Sequence, residues 1–223
     1  VLVQLGTLLA VIVYFWTDLW NIVRLTFTNL RQPNLYSRPE VRLGVNLLVA
    51  TAPAVVIGLF FKETIEAAFS NSTVTALFLL LTALLLFIAE WVGKRNVFLE
   101  DVQWYDALRI GVFQALALFP GVSRSGASIT GGMIGSMKRS DAARFSFLMS
   151  VPVMIGAGVL AAFDLVEISN LASFAMPMLV GFATSAVVGF LAIRWLLNYL
   201  TKNSLYVFSI YLVVISTLAL ILG

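Results

Sequence analysis

The residues best suited to chemistry form one short run, Pro120-Gly121-Val122-Ser123-Arg124-Ser125-Gly126, in which an arginine sits between two serines and two glycines. A guanidinium grips phosphate through two parallel charge-assisted hydrogen bonds, which a lysine ammonium cannot copy. Serine hydroxyls add donors, and glycines let backbone N–H groups close in on a ligand. The run therefore reads as an anion cradle, with Arg124, Ser123 and Ser125 as candidate catalytic residues and Gly121 and Gly126 as candidate substrate-binding positions. Ser128 and Thr130 continue the hydroxyl series and join the substrate-binding candidates. Gln114, six residues before Pro120, is a further candidate: its amide either bonds the backbone of the motif or links two helices. A plainer reading makes Arg124 a loop residue reaching toward lipid headgroups, with serines that satisfy a turn. Against that reading stands the cost of ~2.5 to 3.5 kcal/mol for an arginine at the centre of a bilayer, which calls for a partner, an aqueous cavity or a function.

The rest of the chain gives that cost its force. Of 223 residues 61% are hydrophobic and 11% charged, against roughly 45 to 50% apolar residues in a soluble domain. Apolar runs extend over 1–16, 45–61, 74–92, 105–119, 145–163, 174–197 and 205–222, several near the ~20 residues that a spanning helix needs. They are apolar on all sides and do not alternate as the strands of a membrane barrel would. The expected fold is all-α: a polytopic helical membrane protein forming a single integral membrane domain over residues 1–223. There is no cysteine and no histidine, so disulfides, thiol chemistry and imidazole acid–base catalysis are excluded within these residues. The chain opens with Val inside an apolar run, and is expected to be a fragment whose natural N-terminus lies upstream.

Basic residues mark the inner side. Arg24, Arg31, Arg38 and Arg42 crowd what reads as the first loop, and Lys94-Arg95, Lys138-Arg139-Arg144 and Arg194 with Lys202 follow. By the positive-inside rule all are cytoplasmic, while the connections around Lys62, Glu63 and Glu66 and around Asp164 and Glu167 face out. Lys94 and Lys138 then lie on one side, although only one apolar run separates them. The chain between must enter and return: 105–119 inward as a helix, a break at Pro120-Gly121, and Gly126 to Met137 back as a shorter piece. Non-helical backbone at that depth requires burial in protein or an aqueous lining, which puts Arg124 at the tip of a re-entrant broken helix hairpin opening to the outer face. Thr51 to Gly58 and Ser150 to Gly156 echo each other as proline-containing apolar segments, which would fit a repeated architecture and equally the ordinary frequency of Pro and Gly in membrane helices.

Gln114 to Thr130, reading Q-A-L-A-L-F-P-G-V-S-R-S-G-A-S-I-T, resembles the second signature of the undecaprenyl-diphosphate phosphatases of the bacitracin-resistance type, P-G-x-S-R-S-x-x-T. Val3 to Val11, Ala52 to Gly58 and Phe145 to Pro152 resemble the same family in the same order, so the likeness runs along essentially the whole chain. The threonine of the signature is Ser128 here. The family's first signature, with glutamates, a serine pair and a histidine ahead of the Val3-Gln4 region, is not found in these residues, and a chain without it is expected to be inactive alone.

The resemblance implies hydrolysis of undecaprenyl diphosphate to undecaprenyl phosphate and phosphate, recycling the lipid carrier of cell-wall synthesis in the bacterial cytoplasmic membrane, with the site at the outer face. It also implies a divalent cation, Mg²⁺ or Ca²⁺. No acidic residue adjoins the motif, so no metal ligand is assigned here, and the ligands are expected in the upstream segment. Glu90 reads as an interfacial or packing carboxylate, and Arg109 as a structural or lipid-facing charge near the inner interface. The expected partners are a polyprenyl diphosphate lipid and membrane lipids, with no nucleic acid, and a homo-oligomer is left open. The alternative is a secondary transporter or flippase for a lipid phosphate, since carriers also build their sites from broken helices.

Overall fold

Ten α-helices make up the regular structure of residues 2–29, 35–166 and 175–222, the residues described by a computed structural model. They are α1 (Leu2–Tyr14), α2 (Trp16–Asn29), α3 (Pro39–Phe60), α4 (Lys62–Phe69), α5 (Ser72–Val92), α6 (Trp104–Ala115), α7 (Arg124–Ile134), α8 (Arg139–Val166), α9 (Ala175–Lys202) and α10 (Tyr206–Leu222). Three of them, α3, α5 and α9, are each long and apolar enough to cross a membrane. The polytopic all-helical fold expected from the sequence is the one observed.

Two segments differ from the sequence reading. The region around Arg24 is a helix and not a loop: α2 follows α1 after a bend of 76°. Its apolar residues recur at helical spacing, with Leu19 and Ile22 packed on the core and Trp16 stacked on Trp20 at 6.2 Å. Arg24 and the polar residues between them dilute the apolar average, so a search for long hydrophobic runs passes over an amphipathic helix. The connection around Lys62, Glu63 and Glu66 likewise contains the short helix α4. Arg31 and Glu167 lie outside the described residues.

The re-entrant segment is present. At ~1.5 Å per residue the 12 residues of α6 and 11 of α7 reach ~18 and ~17 Å, too short to cross a ~30 Å hydrocarbon layer. Their ends away from the tip are joined at the same side of the protein. The backbone N–H groups of Asn96 and Val97 both donate to Ser136 O at 2.9 Å, and Lys138 N–H donates to Val97 O at 3.0 Å. The chain therefore leaves the membrane beside the place where it went in. Lys138 closes the seam with its ammonium 3.6 Å from the Phe98 ring centroid.

Close packing elsewhere follows the rule for helices in lipid, where small residues let backbones approach. Gly6 of α1 lies so near α9 that a Cβ there would stand 1.9 Å from Ser185 Oγ, and Gly189 meets Ala10 in the same seam. Asn46, fully buried in α3, donates to Val102 O at 2.8 Å and so ties α3 to the segment leading into α6.

Near the end of α5, Glu90 gathers four segments of the chain. Its buried carboxylate accepts two bonds from Arg139 at 2.7 and 2.6 Å, one from Arg95 at 2.7 Å and one from the Leu205 N–H at 2.7 Å. Packing is thus its role, as its position near the helix end suggests. Removing one partner of a buried pair strands the others, at a cost of about 3 to 5 kcal/mol. Glu90→Ala should therefore lower the thermal midpoint of the detergent-solubilised protein sharply, and Glu90→Gln less so; an unchanged midpoint for Glu90→Ala would show that the cluster is dispensable.

Candidate active site

Helix α6 begins in a reciprocal cap, with the Gln103 N–H donating to Asp106 Oδ2 at 3.1 Å. It runs inward to Ala115 and tightens into a 3-10 turn over Leu116–Leu118. Pro120, which lacks an N–H, and Gly121 then reverse the chain. Gly121 has φ +90°, and a Cβ on it would stand 2.2 Å from Thr75 O, so conformation and space both demand glycine. Ser123 caps α7: its Oγ accepts the Gly126 N–H at 3.1 Å, and its carbonyl accepts the Ala127 N–H at 2.8 Å.

The depth of this tip is fixed by α5. Thr82 is the middle residue of that 21-residue helix, and its Oγ1 accepts the Ser123 N–H at 3.1 Å. Arg124 therefore begins α7 level with the middle of α5, a helix long enough to cross a membrane. Its guanidinium is partly buried, and the polar contact it makes among the described residues is to the thioether of Met154, at 3.9 Å. Among the described residues no carboxylate pairs with it. The positive end of the α7 dipole, with the N–H groups of Arg124 and Ser125 not used by the helix, adds to the same field. Ser125 Oγ lies 3.5 Å from Ser123 Oγ at the rim.

The remaining sequence candidates divide. Ser123, Arg124, Ser125, Gly121 and Gly126 are brought together at the tip. Ser128 is buried one turn further along α7, where its Oγ lies 2.8 Å from Arg124 O and 2.6 Å from Ser146 Oγ of α8, so its hydroxyl is engaged in holding α7 to α8. Thr130 is fully buried, and neither its hydroxyl nor either amide atom of the buried Gln114 has a hydrogen-bond partner among the described residues. Arg109 has a structural post: it donates to Asp106 Oδ1 at 2.7 Å and to Gly131 O at 2.9 Å, clasping α6 to α7. Thr82, Ser146 and Met154 complete the surroundings and were not singled out by sequence reasoning. A threonine in the middle of the apolar run of α5, set apart from Thr73 and Thr75 at its start, was the available signal.

An apolar cleft of about 220 Å³ reaches the motif from the side, between Ser123, Ser125 and Ile129 of the hairpin and Phe208, Tyr211 and Leu212 of α10. A larger cavity, about 930 Å³, lies between Asp18, Arg144 and Arg194 and does not touch the motif. As for a divalent cation, hard ions such as Mg²⁺ take carboxylate and phosphate oxygens. The hydroxyls, guanidinium and thioether around Arg124 do not form such a set, and no cluster of three or more metal-ligating side chains occurs among the described residues.

Fold and site together define a class: a multi-span helical membrane protein that carries an arginine at a helix start at the tip of a re-entrant hairpin. The family model of the bacitracin resistance protein BacA matches residues 1–218, and the chain belongs to that family. It is 41% identical over 218 residues to an undecaprenyl-diphosphatase of Moorella thermoacetica, covering 98% of this chain and 80% of the relative. Likenesses of 37% over 227 residues and 40% over 211 residues link it to undecaprenyl-diphosphatases of Chloroherpeton thalassium and Rubrobacter xylanophilus, covering 80% and 78% of those proteins.

The geometry of the turn makes a specific demand. Gly121→Ala should displace the tip from α5 and lower both the thermal midpoint and any activity that depends on Arg124, whereas Gly156→Ala, at a position where a Cβ meets nothing within 4 Å, should leave both near wild type. Equal behaviour of the two variants in thermal unfolding and turnover would contradict the turn's role.

Proposed function

We propose that this protein is an undecaprenyl-diphosphate phosphatase, cleaving the bond between the two phosphates of an isoprenyl diphosphate with water to give the lipid monophosphate and inorganic phosphate. One observation carries the reading: a guanidinium held level with the middle of the membrane-length helix α5, at the start of a helix, with no carboxylate partner among the described residues. A diphosphate supplies the missing negative charge. Arg124 would clamp its oxygens and stabilise the charge that moves during phosphoryl transfer, which is chiefly a matter of position and electrostatics. Ser123 and Ser125, with the N–H groups of Arg124 and Ser125, would donate to the remaining oxygens, while Gly121 and Gly126 allow that approach. The apolar cleft beside the two serines offers the isoprenyl tail a surface of its own kind.

The same proposal puts the protein in the bacterial cytoplasmic membrane with the motif open to the outer face. Support comes from Lys94, Arg95, Lys138 and Arg139 at the base of the hairpin and from the tip lying toward the other end of α5, beside Thr75. A divalent cation, Mg²⁺ or Ca²⁺, belongs to the proposal as a helper that takes its carboxylates from residues other than those around Arg124. A pure carrier is the competing reading, and it would move lipid phosphate without releasing product.

Purified full-length protein in detergent should release phosphate from a long-chain isoprenyl diphosphate with no gradient present. Losing a charge-stabilising donor costs about 10²- to 10³-fold in such chemistry, so Arg124→Ala and Arg124→Lys should both lose at least that much turnover at unchanged membrane abundance. Near-wild-type turnover of Arg124→Lys would remove the two-pronged clamp, and lipid flux without phosphate release would favour the carrier.

A further inference from the structure

We propose that Thr82 is a positioning residue for the motif, fixing through the backbone of Ser123 which N–H groups face the diphosphate; this rests on the reading of the hairpin tip as a diphosphate cradle. The side chain is fully buried at the centre of α5, and both of its ends bear on the tip. Its Oγ1 accepts the Ser123 N–H at 3.1 Å while its own proton goes to Phe78 O at 3.1 Å, with Gly121 O further off at 3.5 Å. Its methyl carbon lies against the first turn of α7, where a Cβ on Gly126 would come within 3.0 Å of it.

The hydroxyl does two things at once. It satisfies a backbone donor just ahead of α7, at a depth where water is scarce and an unpaired N–H is costly. It also ties that donor down, so the first free N–H groups are those of Arg124 and Ser125, next to the guanidinium. Without the hydroxyl, the Ser123 N–H must find another acceptor, and the substrate's phosphate is the nearest chemistry of the right kind. The tip would turn to make that bond, and Arg124 would follow out of register. Thr82 touches no substrate in this scheme. It acts only through the backbone of Ser123.

The test compares Thr82→Val, which keeps the shape and removes the hydroxyl, with Thr82→Ser, which keeps the hydroxyl. For each, kcat and KM for isoprenyl diphosphate hydrolysis are measured in detergent together with the thermal midpoint. Displacements of the order of 1 Å cost about 100-fold in rate, so Thr82→Val should lose on that order in kcat/KM, with KM itself raised severalfold. Thr82→Ser should stay within about threefold of wild type, since the bond to Ser123 survives. A change confined to the amount of folded enzyme would lower the apparent kcat and leave KM alone, and that pattern would overturn the proposal, as would equal activity of the Val variant and wild type. Where Thr82→Val fails to accumulate, Thr82→Ser against Thr82→Ala makes the same comparison, because both lack the methyl and differ in the hydroxyl; equal kinetics would again overturn it. Wild-type protein that releases no phosphate at all would instead refute the phosphatase reading on which the proposal stands.

Discussion

Five residues of non-helical backbone, Phe119 to Ser123, lie inside a protein whose surroundings offer little water, and most of the site's construction answers that constraint. Each polar group of the turn needs a partner from nearby protein. Phe119 and Val122 donate to Leu116 O and Phe119 O at 3.2 and 3.3 Å, Pro120 has no donor to satisfy, and Ser123 reaches across to Thr82. Helix α5 is therefore more than a neighbour of the hairpin. It supplies the acceptor that lets the chain reverse, and its length sets how deep the reversal lies. The arrangement leaves the start of α7 open to a ligand while the Phe119, Val122 and Ser123 N–H groups of the turn are engaged.

Two arginines in the same hairpin show how differently the fold treats positive charge. Arg109 is matched by the Asp106 carboxylate and the Gly131 carbonyl, and its head fills the space that a side chain on Gly135 would claim. It is neutralised and used as a clasp. Arg124, fifteen positions on and at the tip of the hairpin, receives a thioether instead. Thioether sulfur is a weak acceptor that leaves most of the charge unmet. Arg109 is held by a carboxylate, and Arg124, among the described residues, is not.

The sequence made the hairpin legible through conflict between two simple signals. Basic pairs at Lys94-Arg95 and Lys138-Arg139 claimed one side of the membrane, while a single apolar run lay between them, and only re-entry reconciles the two. The break at Pro120-Gly121 was equally plain, because it combines a residue without an N–H and one suited to positive φ. Less visible were features that depend on neighbours distant in the chain. Thr82 is 41 positions from Ser123 and Ser146 is 18 from Ser128, and nothing in local composition ties either pair together. Ser128 looked like part of a hydroxyl row, but its hydroxyl is engaged by the Arg124 carbonyl and by Ser146 of α8. The amphipathic α2 escaped notice for a different reason: its apolar face is one stripe wide, and averaging over the whole segment hides a stripe.

The Glu90 cluster also has a bearing on biosynthesis. Glu90 and Leu205 are 115 residues apart in sequence, an interval that translation at roughly 5 to 20 residues per second covers in about 6 to 23 s. During that time α5 and the hairpin are already made, yet the amide that completes the carboxylate's shell has not left the ribosome. The nascent hairpin must accordingly be sheltered, by the insertion machinery or by lipid, until the last helix arrives to lock it.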